Sequence, residues 1–201
     1  MTLRDDIIGV ILAGGKSSRM GSDKALLDLN GKPFIRHIAD VFRQFFTTIL
    51  ISADDDALYS FLDVPVITDI VKNSGPLGGI HSGLKHSHPR DIFIVACDMP
   101  FIEPDAVTSL LSICPGKDVV IFSVDGQIQP LFGLYRKTCL PLIEEHLGRG
   151  QYAVLGCLEK LQTVTVAIPS PTIAVAPGSL RNINSSEDYR STLTSNKESD
   201  I

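Results

Sequence analysis

The chain has 201 residues, long enough for one sizeable core, and its 44% apolar and 20% charged residues are those of an ordinary globular protein. A formal net charge of −5 argues against a nucleic-acid binder, which needs a basic face, but leaves room for a small nucleotide held by a few local cations. Met1–Asp6 lacks a positive segment leading into an apolar one, and apolar runs such as Ile7–Ala13 stop far short of the roughly 20 residues of a membrane span, so a cytoplasmic protein without membrane contact is expected.

In chain order, Asp6–Ala13 is a β-branched apolar run ending at Gly14-Gly15, as suits a buried parallel strand. Leu26–Leu29 is short and precedes a turn at Asn30-Gly31-Lys32-Pro33. From Phe34 to Phe45, Phe34, Ile38, Val41, Phe42 and Phe45 share a helical face, with Pro33 near the first turn. Strands are expected at Thr48–Ser52 and Val64–Thr68, then a Gly- and Pro-rich loop over Asp69–Gly79 and a short helix at Ile80–Lys85. Asp91–Cys97 is the most strand-like segment, and Pro104-Asp105 opens a helix reaching about Cys114. Asp118–Ser123 and Gln129–Tyr135 read as strands, the second a candidate for antiparallel pairing. Helical patterns cover Thr138–Leu147 and Tyr152–Leu161, with a late strand at Thr163–Ala167. Asn184, with Glu187 three residues on, signals the start of a final helix, and Thr194–Ile201 is a polar tail.

This alternation implies a single α/β domain over residues 1–193, a mostly parallel, Rossmann-like sheet with helices on both faces. In such sheets ligands gather at the carboxyl ends of the strands. Cys97, Cys114, Cys139 and Cys157 form no CxxC pair and are expected to be plain buried thiols. The segment holding His81, His86 and His88 is polar and turn-rich, which argues against a metal site.

Leu12–Lys24 is the most informative stretch. It leaves the first strand and concentrates glycines and serines with the cations Lys16, Arg19 and Lys24. Glycines let the backbone approach a ligand and turn its N–H groups toward an anion, and the cations can neutralise a triphosphate. The spacing fits neither a Walker A loop nor a GxGxxG fingerprint. A solvated surface turn would explain the glycines but not the cations gathered directly after a buried strand.

The stretch resembles the opening motif of the nucleotidyltransferases that activate sugars and cofactors, with Gly14-Gly15-Lys16-Ser17, Arg19-Met20-Gly21 and Asp23-Lys24 in register with the molybdenum cofactor guanylyltransferase branch. Ser74–Ile80, Cys97–Pro100, Gln129–Leu131 and Asn182–Asn184 continue the resemblance over most of the chain. It implies the nucleotide-diphospho-sugar transferase type of fold, with Mg²⁺ as cofactor and GTP and molybdopterin as substrates. It also implies a monomer served by proteins that supply the pterin and receive the product, a nucleotide-binding half over about 1–115, and an acceptor half over about 116–193.

The site residues follow from that resemblance position by position. Arg19, Lys24 and Asp98 match catalytic positions, with Asp98 the magnesium ligand. Leu12, Ala13, Gly14, Gly15, Lys24, Ser52, Asp69 and Asp98 match GTP contacts, though asparagine is the expected residue where Ser52 stands. Gln129, Asn182 and Asn184 match acceptor contacts. The residues themselves leave plainer roles open: Asp98 as a turn aspartate before Pro100, Asp69 as a solvated strand-end residue, Asn184 as a helix cap. Independently of family, a carboxylate ending a buried strand is well placed to hold a hard cation, and a magnesium site needs only one or two carboxylates beside waters and phosphates. An acceptor carboxylate at Asp69 suits the N1–H and N2 donors of guanine. The expected reaction is attack by the molybdopterin phosphate on the α-phosphorus of GTP, forming molybdopterin guanine dinucleotide and pyrophosphate. The alternatives are a cytidylyltransferase of the same pterin, a sugar-phosphate nucleotidyltransferase and, in another class, a nucleotide-binding accessory protein without catalysis.

Overall fold

The computed structural model describes residues 3–14, 23–87, 90–113, 116–170, 173, 175–185 and 187–191. The strands are Ile7–Leu12 (β1), Asp28–Leu29 (β2), Lys32–Pro33 (β3), Ile49–Ser52 (β4), Val66–Ile67 (β5), Asp91–Ala96 (β6), Val119–Val124 (β7), Gln127–Tyr135 (β8) and Thr163–Ile168 (β9). The α-helices are Phe34–Phe42 (α1), Gly75–Ser87 (α2), Pro104–Leu111 (α3), Leu140–Gly148 (α4) and Val154–Leu158 (α5).

β1, β4 and β6 are buried along nearly their whole length, which is why they read as continuous apolar runs. β1 pairs in parallel with both, Gly9 against Ile49 on one side and Ile7 against Asp91 on the other. The seven-stranded sheet has the order β5-β4-β1-β6-β8-β7-β9. β8 alone runs antiparallel to its neighbours. The cause is local: Asp125 and Gly126 take φ of 49° and 80°, the left-handed pair of a two-residue hairpin that sends the chain straight back. The start of β8 therefore lies at the edge where β1, β4 and β6 end. There the β7–β8 register jumps from Ile121↔Gly133 to Phe122↔Gln129, a bulge that suits Pro130, which has no N–H for the ladder. The Tyr135 hydroxyl donates to the Pro130 carbonyl at 2.6 Å.

One face of the sheet carries α1 and α3, the other α2, α4 and α5. α1 has no side-chain N-cap but buries Phe34, Ile35, Ile38, Ala39 and Phe42. At about 1.5–3 kcal/mol for each fully buried Ile or Phe, that face far outweighs a missing cap worth about 1 kcal/mol. A smaller cluster of Leu29, Phe34 and Ile183, with Leu27, Phe101 and Tyr189 against it, ties the C-terminal segment to the β2–β3 hairpin.

Several elements differ from the sequence reading. α2 begins at Gly75, inside the expected loop: Gly75 itself takes a turn-like φ of 60°, while Gly78 and Gly79 pack closely against their neighbours. α1 and α3 stop at Phe42 and Leu111, earlier than expected, although Phe45 is buried just beyond the end of α1. A 3-10 helix over Ala57–Leu62 had no periodic signal. The final helix is capped one residue late: the Asp188 N–H donates to the Ser185 hydroxyl, while Asp188 accepts from the backbone of Asn184 and Ser185. Residues 192–201, including the expected tail, lie outside the described residues. Among those described, no helix is long and apolar enough to cross a membrane.

Candidate functional site

Three strand ends bring the chemistry together. The Ala13 N–H donates to the Ser52 carbonyl at 2.9 Å and the Cys97 N–H to the Leu12 carbonyl at 3.0 Å, so the segments leaving β1, β4 and β6 are held side by side. Leu12 and Ala13 are themselves buried, and Gly14 is the first residue to open onto a cleft.

That cleft, of about 530 Å³, is lined by Gly14, Ala53, Asp54, Asp69, Lys72 and Gly75, together with Asn73. Asp69 is half-buried, and desolvation pushes its carboxyl above the ordinary range while a hydrogen bond from Ser52 opposes this. Ser52 itself is only 2% exposed, and its hydroxyl donates to Asp69 Oδ1 at 3.0 Å. It sits behind Asp69 and fixes one oxygen. α2 comes unusually close here. A Cβ on Gly78 would lie 3.0 Å from Asp69 Oδ2, and one on Gly79 would lie 3.1 Å from Ser52 Oγ and 2.9 Å from Leu12 Cδ2.

A second cleft, of about 690 Å³, lies at the start of β8. Gln129, Asn182 and Asn184 all line it, joined by Met99, Ile128 and Arg181. The 181–184 segment is pinned by the Ile183 N–H, which donates to the Asp98 carbonyl at 2.8 Å, and by the complete burial of Ile183. Asn182 Oδ1 is buried and finds no hydrogen-bond partner among the described residues.

Asp98 lies two residues beyond the end of β6, which sits in the sheet between the strands bordering the two clefts. Lys24 Nζ stands 3.9 Å from Asp98 Oδ2, each side chain 19% exposed, and donates to Asn184 Oδ1 at 3.2 Å. Desolvation raises the Asp98 carboxyl above its ordinary range and Lys24 pulls it back. Asp98 Oδ1 is buried and finds no hydrogen-bond partner among the described residues. A carboxylate oxygen so placed suits a hard divalent cation, which takes one or two carboxylates and fills its shell with waters and phosphate oxygens. The base of Lys24 is held as firmly as its head. Asp23 Oδ1 accepts from the Ala25 N–H at 3.0 Å, and Asp23 Oδ2 accepts from the Tyr59 hydroxyl at 2.5 Å.

The structure thus brings Lys24, Asp98 and Asn184 into one group, Gly14, Ser52 and Asp69 into a second, and Gln129 with Asn182 beside the first. Gly15 and Arg19 lie outside the described residues, as does most of the glycine-rich loop. Sequence reasoning passed over Tyr59, Lys72 and Arg181. Arg181 adjoins Asn182 and could have been found from that. Tyr59 and Lys72 sit in segments without periodicity or motif. Away from the clefts, His81 Nε2 is 3.5 Å from Glu144 and His86 Nδ1 meets the Ser82 carbonyl at 2.8 Å. Cys97, Cys139 and Cys157 are free thiols whose ionisation burial pushes up to about 11 or 12.

The chain is similar to known proteins over most of its length. The chain is 34% identical over 186 residues to the molybdenum cofactor guanylyltransferase of Vibrio cholerae, covering 91% of this chain and 89% of that one. In fold it is similar to molybdopterin-guanine dinucleotide biosynthesis protein A from Archaeoglobus fulgidus, with a TM-score of 0.81, 24% identity and coverage of 95% and 99%. It also shares its fold with a Mycobacterium tuberculosis protein determined in complex with manganese, with a TM-score of 0.67, 18% identity and coverage of 94% and 99%. Residues 9–164 match the MobA-like NTP transferase domain, and with that match the chain belongs to this family of nucleotidyltransferases.

Proposed function

We propose that this chain transfers GMP from GTP to the terminal phosphate of molybdopterin, forming molybdopterin guanine dinucleotide and pyrophosphate. The observation that carries the reading is Lys24 and Asp98, held together at the carboxyl edge of the sheet between two clefts. The identity to the Vibrio cholerae guanylyltransferase supports the choice of substrates.

The first cleft takes the nucleotide. Gly14 opens onto the cleft for the phosphates, Gly15 and Arg19 are the phosphate contacts expected after it, and Leu12 and Ala13 set where the loop begins. Asp69, oriented by Ser52, accepts from guanine N1–H and N2 with its remaining oxygen. The second cleft takes the acceptor, with Gln129, Asn182 and Asn184 offering amides to its polar edge. In this division, residues of about 1–115 bind nucleotide and those of about 116–193 bind pterin.

A phosphate monoester is already largely dianionic at pH 7, its second pKa being about 6. It attacks the α-phosphorus without a general base, and the work left to the protein is positioning and charge stabilisation. The P–O bond to the β-phosphate breaks as the new P–O bond forms, and the electron pair leaves on pyrophosphate. Lys24, with Arg19, takes up the charge growing on that leaving group. Asn184 holds the ammonium in place. Asp98 is the residue that would hold Mg²⁺ through its unpartnered Oδ1. Bound there, the cation supplies charge neutralisation to the reacting phosphates. The reading places a monomer in the cytoplasm, between proteins that supply the pterin and receive the product.

The test is transfer by Asp98→Ala. The expected outcome is loss of pterin-dependent pyrophosphate release with melting temperature preserved, because the deleted carboxylate is desolvated and half unsatisfied. A folded Asp98→Ala protein with parental activity contradicts the reading.

A further inference from the structure

Lys24 can act on a leaving group only if its ammonium is held in one place, and a lysine side chain carries about 2 kcal/mol of rotamer entropy that works against this. Its head is tethered by Asn184 and Asp98. What fixes its backbone is less obvious. The residue sits in a 3-10 turn of only three residues, Lys24–Leu26, which has little stability of its own.

The turn is anchored from a distant segment. Tyr59 lies in the 3-10 helix Ala57–Leu62, is 1% exposed, and packs into the core on the α1 face. Its hydroxyl reaches Asp23, the residue directly before Lys24, and donates to Oδ2 at 2.5 Å. The other Asp23 oxygen caps the turn at the Ala25 N–H. Both carboxylate oxygens are thus engaged, one by the turn and one by a rigid buried ring 36 positions away.

We infer that Tyr59 is a positioning residue of the transferase reaction: through Asp23 it sets the backbone from which Lys24 reaches the reacting phosphates. This rests on the role given to Lys24 above. Burial and the neighbouring Asp23 carboxylate both raise the phenol's pKa. The hydroxyl therefore remains a donor throughout the working pH range. A phenol donating to a carboxylate is a strong, short hydrogen bond, and a ring with two torsions costs little to hold. Asp23 and Tyr59 do not touch substrate in this scheme; their effect is entirely through Lys24.

Tyr59→Phe removes only the hydroxyl and keeps the ring in the core. Misplacing a catalytic group by about 1 Å can cost as much as a hundredfold, so a fall in kcat of at least tenfold is expected, with the pterin KM within about twofold of parent. A loss of core packing would lower melting temperature without this pattern. The decisive comparison is a double-mutant cycle with Lys24→Ala, read as pyrophosphate release with GTP and molybdopterin. In the Lys24→Ala background Tyr59→Phe is expected to change the rate by less than twofold, since the group it positions is gone. Asp23→Asn, which keeps an oxygen for the Ala25 cap, runs the same cycle should Tyr59→Phe fold poorly. If Tyr59→Phe costs the same factor with and without Lys24, or costs nothing in the parent, the inference is overturned while the role of Lys24 stands. If Lys24→Ala keeps the parental rate, the role of Lys24 falls and the inference with it.

Discussion

At the scale of single residues, Asp69 carries a desolvated carboxyl in the cleft that the proposed function gives to the nucleotide. Its carboxyl is pushed upward by desolvation, opposed by the Ser52 hydroxyl. A folded-state pKa above the unfolded one means ionisation costs stability. That cost is absent at acid pH and present in full once the pH exceeds the folded value. Asp69→Asn should therefore melt like the parent near pH 4 and no lower than the parent at neutral pH, its relative stability rising between. Its affinity for GTP should fall by about tenfold or more, since a hydrogen bond to a charged group contributes about 1.5–3 kcal/mol. Thermal melts across this range and GTP titration check both halves. A destabilised Asp69→Asn protein with parental GTP affinity would show that Asp69 serves the fold alone. The sequence placed this carboxylate at a strand end. It could not show that Ser52 would lie behind it, because the pairing of β4 with β5 brings the two together from 17 positions apart.

At the scale of elements, long buried strands were readable, while α2 was read only over Ile80–Lys85 and its glycine-rich start was not. β1 and β6 match their expected spans within a residue or so, because a strand covered on both faces must be apolar throughout. In α2, Gly75, Pro76, Gly78 and Gly79 carry the local signature of a turn. Gly75 takes φ of 60°, which favours glycine, but Gly inside a helix costs about 1 kcal/mol relative to Ala, so Gly78 and Gly79 have to be explained by packing. A Cβ on Gly78 would fall 2.1 Å from Ser74 Oγ, 3.0 Å from Asp69 Oδ2 and 3.1 Å from the Val71 carbonyl. Ser74 Oγ is bound to that same carbonyl at 2.6 Å, so the obstruction cannot swing aside freely. Overpacking of about 1–3 kcal/mol then exceeds the gain in helix propensity. Gly78→Ala is expected to lower the melting temperature by several degrees, at about 2–4 °C per kcal/mol for a chain of this size, and to weaken GTP binding by displacing Asp69. A more stable Gly78→Ala protein with unchanged GTP affinity would mean the close approach is unimportant. The 3-10 helix carrying Tyr59 escaped notice for the opposite reason: Ala53–Ala57 is acidic and aperiodic, and the value of Tyr59 lies in a contact 36 positions away.

At the scale of the whole molecule, the antiparallel return of β8 sets a second cleft beside the first at one sheet edge, and the proposed function assigns one substrate to each. A fully parallel sheet would present only strand ends at its carboxyl edge. Reversing β8 brings a strand beginning, with Gln129, to that edge beside Asp98, and the 181–184 segment closes over it. The glycine loop, Lys24 and Asp98 were readable as a motif, and the fold class as an alternation of strands and helices. Long-range pairs such as Lys24 with Asn184, 160 positions apart, were not. The central claim is that this edge transfers GMP to a pterin phosphate. Its most direct test is pyrophosphate release by the purified protein with Mg²⁺, measured with GTP, CTP, ATP and UTP in turn, with and without molybdopterin. The expected result is release that requires the pterin and is fastest with GTP; pterin-dependent release that prefers CTP, or no pterin dependence with any nucleotide, would contradict it.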